Sequence, residues 1–505
     1  MKRRNRFRCR FFACMAAGCT LVVTYLVAWP APLMGQESVP GAPLSKVERK
    51  NKAPLSRQVL RVKLPRPAEV KLRNGVTVLI LEDHRFPAVF AQLHLEGAGA
   101  LFEPAEMNGL AKITAQMLRE GTKSRTSKQL AEEVERLGAT LSATSSFGAT
   151  DAVLSASGLS DNFVAWFSLA VDMLLNPAFP ADELAKLKQR LRVQLRQQRT
   201  APNFLLRERF NRAVFGDHPA AVVAPTPKSV QSLTPEALSA WHHERYTPQN
   251  AILAIAGDVR TRELIPMLER WFKDWPRSSI KAVLPPKPLP VKARKVYLID
   301  RPNSVQTTLA LGNIAIDRHS ADFIPMVVMN RLLGGGPAAR LFLNLREEKG
   351  YTYGVYSDFT AAQYPGPWRA GGNMRTEVTA KALAEFFNEI RRIRDEKVSD
   401  AELEESKRAI AAGFALSLEQ PTRSLSFAIT RKLYRLPEDY WDSYPAQVMA
   451  VTAGDVQRVA RKYLNPTAMQ LVAVGDARRI KPMLEPYGPV ETYDDAGNLL
   501  ETPKP

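Results

Sequence analysis

The 505-residue chain predicts an α+β protein made of two copies of one folding unit, each an antiparallel-rich β-sheet covered by helices on one face. Three observations carry that reading. Strand-like runs come in neighbouring pairs with long amphipathic helices between the pairs. Two long blocks of sequence echo each other, and a proline-rich stretch lies between them. The composition, 45% hydrophobic, 24% charged and 8% aromatic, is globular and excludes a disordered, collagenous or polytopic membrane chain.

The first element is an address. Six of the net +19 charges (Lys2, Arg3, Arg4, Arg6, Arg8 and Arg10) precede an apolar run over residues 11–29. A basic start followed by an apolar run reads as an export signal, with Gly35 as the small residue before a cleavage point at Gln36. The same run is just long enough to cross a bilayer, so an uncleaved membrane anchor through residues 11–29 stands as the alternative. Either way the body is exported, to the periplasm or cell envelope. Residues 1–35 are assigned to this address, and the polar, Pro-containing residues 36–66 to a flexible tether. All three cysteines (Cys9, Cys14 and Cys19) lie in the address, which leaves the body no disulfide, zinc thiolate or catalytic Cys. The remaining positive charge is spread out, with no aromatic-interleaved basic patch, and predicts no nucleic-acid partner.

The first domain is placed at 67–275. Residues 76–81 and 88–95 read as strands joined by a short turn, and residues 141–144 and 152–157 as a second antiparallel pair. Residues 127–137 and 162–175 carry apolar side chains at three- and four-residue spacing and predict helices. The block closes with TPEALSAWHHERYTPQNAILAIAGDV (234–259), a helix ending near Tyr246, a Pro turn and a short buried strand. Pro285, Pro286, Pro288 and Pro290 favour extended chain in the linker, 276–292. The second domain, 293–485, repeats the closing pattern in TAGDVQRVARKYLNPTAMQLVAVGDA (452–477), with Tyr463 in the place of Tyr246. ELEESKRAI from Glu402 likewise echoes ELAKLKQRL from Glu183. Two copies are too few for a solenoid and indicate a duplicated domain. Residues 486–505 remain as a C-terminal tail.

From Leu72 the chain reads LRNGVTVLILEDHRFPAVFAQLHLEGAGA, and from Gly109 it reads GLAKITAQMLREGT. Together these stretches resemble the insulinase/pitrilysin family, whose nearest relatives include the mitochondrial processing peptidases. The resemblance runs from about residue 70 to residue 477 and implies a clam-shell arrangement of the two domains. In that family the helix carries H-x-x-E-H, in which two His on one helix face bind Zn²⁺ and the Glu activates the bound water. Here those positions hold Lys112, Ala115 and Gln116. An ammonium cannot ligate zinc without losing its proton, a methyl group is no base, and an amide oxygen is a weak ligand. The family's third ligand is a Glu that the resemblance places on the helix within 183–199, where no acid follows Glu183. The six histidines (His84, His94, His218, His242, His243 and His319) offer no ligand spacing. No cofactor is therefore expected on this chain, and domain one is not expected to cut peptides by the family chemistry.

The second domain contains LLGGGPAARLFLNLREEKGYTYGVYS (332–357), which matches the family closely. Pro337 suits the first position of a helix entered from Gly334, Gly335 and Gly336, and Gly350 suits its left-handed stop. Arg346 then falls in the last helical turn and Tyr353 on the following strand. The resemblance implies that this pair holds the substrate backbone and oxyanion opposite the zinc, and both groups are suitable fixed donors. In isolation they read as a solvated helix-end charge and a strand aromatic. The glycine triplet is no phosphate loop, because no Gly-Lys-Ser/Thr follows. Gly334, Gly335 and Gly336, with Ser142, Ala143 and Thr144 of domain one, are expected to line a substrate chamber.

Some bacterial relatives divide the work, one subunit bearing H-x-x-E-H and the other the Arg and Tyr. The resemblance thus implies an exported, zinc-free subunit that supplies donors to a homologous zinc-bearing partner acting on unfolded peptides. Two alternatives stay open. One is a non-catalytic scaffold in an envelope complex; the other is a stand-alone peptidase with metal bound elsewhere.

Overall fold

The structure, a computed structural model, describes residues 61–277 and 284–501. The export signal or anchor (1–35) and residues 36–60 of the tether lie outside the described residues. The first domain opens with β1 (Ala68–Lys71), β2 (Thr77–Glu82), β3 (Ala88–Glu96), α1 (Leu110–Met117) and α2 (Ser127–Arg136). It continues through β4 (Thr140–Thr144), β5 (Asp151–Leu159), α3 (Phe163–Leu175), α4 (Ala181–Gln198) and α5 (Pro202–Phe215). It closes with α6 (Pro227–Ser232), α7 (Pro235–Arg245), β6 (Ala251–Gly257) and α8 (Thr261–Trp271).

The second domain begins with β7 (Val296–Asp300), β8 (Gln306–Ile316), α9 (Phe323–Leu333), α10 (Arg340–Phe342) and β9 (Thr352–Ala361). There follow β10 (Pro365–Arg375), α11 (Thr379–Asp395), α12 (Asp400–Ser417), α13 (Pro421–Leu433) and α14 (Tyr440–Ala450). The chain ends in α15 (Ala453–Tyr463), β11 (Gln470–Gly475), α16 (Ala477–Leu484), β12 (Val490–Tyr493) and β13 (Leu499–Glu501). The fold is α+β in two homologous halves, as the sequence predicts.

The first sheet has the order β1-β2-β6-β3-β5-β4 and the second β13-β12-β7-β11-β8-β10-β9. The duplication is exact in one telling place. β6 runs parallel to β2 and antiparallel to β3, and β11 runs parallel to β7 and antiparallel to β8. Every residue of both strands is buried. A strand with no polar face cannot sit at an edge, so each goes to the middle. This corrects the reading of residues 76–81 and 88–95 as a pair: β6 lies between them. The helix before each central strand starts on the same device, the Thr234 and Thr452 side chains accepting from the N–H groups of Ala237 and Asp455.

One face of each sheet packs on its own domain's helices, with Val78, Ile80, Ala91 and Leu93 against Trp166, Trp241 and Leu264 in domain one. Leu309, Leu311 and Leu471 meet Met329, Phe386 and Val459 in domain two. The opposite faces are covered by exchange. Phe210 and Val214 of α5 lie in one cluster with Ile299, Ala310, Val472 and Val474 of the second sheet. Leu425, Ala428 and Ile429 of α13 lie with Leu79, Ile252 and Ala254 of the first. Helices thus cover both faces of each sheet, one of them lent by the other domain.

The segment set apart as a tail instead adds β12, parallel to β7, and β13 to the second sheet. Alternate burial of Val490 and Thr492 explains why it docks. Near the end of the tether, Leu64 is buried and its N–H donates to Asp442 Oδ1 at 3.0 Å, while the Arg66 guanidinium pairs with Asp442 at 2.7 Å. In the linker, Pro285 and Pro288 are buried and the Pro286 carbonyl meets His218 Nε2 at 2.9 Å.

Candidate functional site: a helix without metal ligands and an intact donor pair

α1 is held by its buried side and its entry. Leu110, Ala111, Ile113, Ala115 and Met117 all point into the core. Gly109 has φ +100°, and a Cβ there would come 2.9 Å from Pro225 Cβ, so no other residue fits the turn. The Glu103 carboxylate accepts from the N–H of Gly109 at 2.8 Å and of Ala111 at 2.6 Å, anchoring the first turn. Burial pushes the Glu103 carboxyl up to about 7 against the pull of those bonds.

The three motif positions present nothing that fits zinc. The Lys112 ammonium sits 5.5 Å from the Phe147 ring centroid, a cation–π contact. Ala115 is wholly buried, and Gln116 Oε1 is a buried oxygen without a hydrogen-bond partner. On α4 the residues after Glu183 include Lys186, Lys188, Arg190, Arg192 and Arg196, and no acid. Among the described residues no three His, Cys, Asp or Glu side chains gather as a metal cluster. Several histidines have other partners: His84 Nδ1 meets Asp258 at 2.7 Å, and His94 Nδ1 meets Asp151 at 2.7 Å. Burial lowers the His242 pKa to about 4, with Nε2 2.7 Å from the Leu174 carbonyl.

The second motif is assembled. α10 starts at Arg340, not at Pro337, because residues 334–339 form the turn out of α9. Arg340 fixes the helix by a bidentate pair with Glu402 at 2.6 and 2.7 Å. The helix then widens into a π-helical turn, Leu343–Glu348, and Gly350 stops it at φ +61°. Arg346 lies in the π turn, its guanidinium 4.7 Å from the Phe342 centroid and 4.9 Å from that of Tyr353.

Tyr353 owes its direction to a β-bulge. Thr352 pairs with Met374 and Gly354 with Asn373, so Tyr353 between them has no cross-strand partner. A bulge of this kind re-aims a side chain. Tyr353 is 87% exposed, on an edge strand whose outer side pairs with no described strand. Among the described residues the phenol has no hydrogen-bond partner, and the guanidinium meets only Glu347 Oε1, 3.4 Å from Nε. Both groups keep donors for an incoming acceptor. The spacing of Arg346 and Tyr353 was legible in the sequence; the π turn and the bulge that bring them together carry no comparable signal.

Gly334 and Gly336 are buried and Gly335 half-buried, and a Cβ would run into Ser357 at Gly334 and into Arg331 at Gly335 and Gly336. The Gly334 carbonyl accepts from Ser357 N–H at 2.9 Å, and Arg331 Nη1 donates to the Gly335 carbonyl at 2.8 Å. Ser142 and Thr144 lie exposed on β4, the edge strand of the first sheet, with Ala143 facing the core. α1 packs on β4, so the altered motif borders one edge and the Arg–Tyr pair occupies the corresponding edge of the other sheet.

Fold and site define a duplicated, peptidase-like protein with Lys112, Ala115 and Gln116 on the motif helix of its first half. Residues 78–225 match the family described as Insulinase (Peptidase family M16), and residues 232–410 match the Peptidase M16 inactive domain. The chain carries the N- and C-terminal domains of the M16, or insulinase, peptidase family. An "Uncharacterized zinc protease YmxG" of Bacillus subtilis is 24% identical over 355 residues, 70% of this chain and 85% of that one. An "Uncharacterized zinc protease" of Rickettsia bellii is 26% identical over 409 residues, 80% of this chain and 96% of that one. Among solved structures, a peptidase M16 inactive domain from Pseudomonas fluorescens aligns with a TM-score of 0.75 at 27% identity, over 81% of this chain and 98% of that one. A protease from Helicobacter pylori shares the fold, with a TM-score of 0.74 at 19% identity over 81% of this chain and 100% of its own. Similarity to proteins named as zinc proteases does not restore the ligands: Lys112, Ala115 and Gln116 do not fit the ion.

Proposed function

We propose that this chain is the zinc-free subunit of a heterodimeric metallopeptidase of the cell envelope, acting on unfolded peptides beside a homologous zinc-bearing partner. The observation that carries the reading is Arg346 of the π turn stacked on Tyr353 of an open edge strand, both with free donors. Zinc on the partner supplies the Lewis acid. This chain binds and orients. The exposed edge of β9 offers backbone N–H and C=O groups to an extended peptide, which a folded protein cannot present. The Arg346 guanidinium and Tyr353 hydroxyl donate to the carbonyl oxygen as it gains charge, and Phe342 holds the guanidinium plane from behind. The basic, apolar N-terminus supports export.

The test is peptide turnover by the reconstituted pair. Arg346→Ala and Tyr353→Phe should each lower kcat by about 10²–10³, the usual cost of an oxyanion donor, with assembly unchanged. Normal turnover by an assembled pair carrying both changes would sink the donor role and leave a scaffold.

A further inference from the structure

On the helix where the resemblance placed an acidic metal ligand, the structure has a basic cavity. α4, the start of α5 and the loop before α6 line an open cleft of about 560 Å³, with Arg192 and Arg196 exposed at its mouth. Its charged lining is Arg192, Arg196 and Arg199 against a single acid, Glu208. Arg199 and Glu208 form a bidentate pair at 2.7 and 2.8 Å and neutralise each other. Arg192 donates to the neutral amide oxygen of Gln231, and Lys188, one turn earlier, donates to the Gln231 carbonyl at 3.0 Å. Among the described residues no carboxylate lies within ion-pair distance of Lys188, Arg192 or Arg196. Burial and then the neighbouring Arg192 lower the Lys188 pKa, which is what crowded cations without counter-charge produce. Like charges four residues apart on a helix repel, and an arriving anion relieves that cost.

We infer that this cavity binds the carboxylate side chains of acidic peptide segments, and so selects substrates rich in Asp and Glu; the inference rests on the reading of the chain as a peptide-handling subunit. Three features favour a peptide carboxylate. The Arg199–Glu208 fork is a working example of carboxylate recognition inside the same lining. Leu195, Phe204 and Pro225 give the cavity apolar wall for methylenes and backbone. Arg192 and Arg196 are about 6 Å apart along the helix axis. Side chains on one face of an extended peptide repeat at about 6.6 Å, so neighbouring acids on that face can each meet one fork.

The experiment uses the full-length chain alone and reads anisotropy of a labelled peptide with alternating Glu, against the same peptide with Gln. The acidic peptide should bind at least about tenfold tighter, as one charge-assisted bond gives. Arg192→Ala with Arg196→Ala should erase the difference while circular dichroism stays unchanged. Glu208→Gln should tighten binding severalfold by releasing Arg199, and Arg192→Glu with Arg196→Glu should turn the preference to a Lys peptide. Equal affinity for the Glu and Gln peptides, or an undiminished preference in the double Ala variant, would overturn the inference. So would displacement of the peptide by inorganic phosphate at the peptide's own concentration, which would mark a phosphate site. Because binding is read without the partner, its failure beside normal Arg346- and Tyr353-dependent turnover removes this inference only. Loss of that dependence with binding intact removes the proposed catalytic role only.

Discussion

Phe210 tests the exchange of helices between the domains. It belongs to domain one by sequence, yet it is 1% exposed against the second sheet, where a Cβ on Gly312 would meet its Cζ at 3.0 Å. An aromatic side chain buries about 150–200 Å², which at about 25 cal/mol per Å² is worth about 4 kcal/mol. Truncation of buried Phe to Ala costs about 3–5 kcal/mol in general, so Phe210→Ala should lose about 4. The loss should appear in the other domain. By native-state hydrogen exchange, amides of β8 and β11 should exchange up to roughly a thousandfold faster, with the guanidinium midpoint lowered. Leu425→Ala on α13 is the mirror experiment: it lies at 3% exposure against Leu79 and Ala254, and should loosen β2 and β6 instead. If each effect stays within the domain that carries the substitution, the exchanged helices do not couple the halves and the reasoning fails.

Two further outcomes follow from single carboxyl groups and a third from the motif helix. Asp322 accepts from Arg458 at 2.5 Å, Lys462 at 2.7 Å and Tyr463 at 2.8 Å; burial would raise its pKa, but these bonds outweigh it and hold it at about 2. A depressed pKa gives stability that is complete above the unfolded value near 3.8 and lost as pH falls through 2, on the order of 2 kcal/mol, and Asp322→Asn should remove that acid limb from a pH series of unfolding midpoints. Glu103 has the opposite sign: raised to about 7, it binds more protons folded than unfolded, so stability should fall as pH rises from about 4.5 to 7 and level off above. Glu103→Gln should flatten that slope, of about 3 kcal/mol at most, and an unchanged slope would place the proton elsewhere. Rebuilding the motif as Lys112→His, Ala115→Glu and Gln116→His should still give no stoichiometric zinc by elemental analysis, because α4 offers cations where a third ligand must stand.

Much of this architecture was legible because it is written locally. Most strands alternate, and the paired segments 234–259 and 452–477 disclose the duplication in the sequence itself. The partners of those elements were not legible. The unbroken apolar run of β6 says that both faces are buried, but not that it parts β2 from β3. Likewise the apolar residues of α5 and α13 require a sheet to cover, and nothing in their spacing says that it belongs to the other domain. β12 has only four residues and gains its place by pairing with β7, a long-range contact that no local pattern encodes.

The two motifs differ in what the fold asks of them. α1 keeps its shape through Leu110, Ile113 and Met117 and through the Glu103 anchor, none of which needs a metal. Exchanging the ligand positions therefore costs little beyond the buried Gln116 oxygen, a penalty of about 1–3 kcal/mol at most. The Arg346–Tyr353 site is different, because its two side chains meet only through a π turn and a bulge. A regular helix and a regular strand would serve packing of the second sheet equally well and would send Tyr353 elsewhere. Irregular backbone at both halves of one contact supports the proposed donor role of the pair more strongly than the residue spacing does. The same comparison explains how similarity to proteins named as zinc proteases and a motif helix bearing Lys112, Ala115 and Gln116 are compatible: the packing of that helix does not depend on a bound ion.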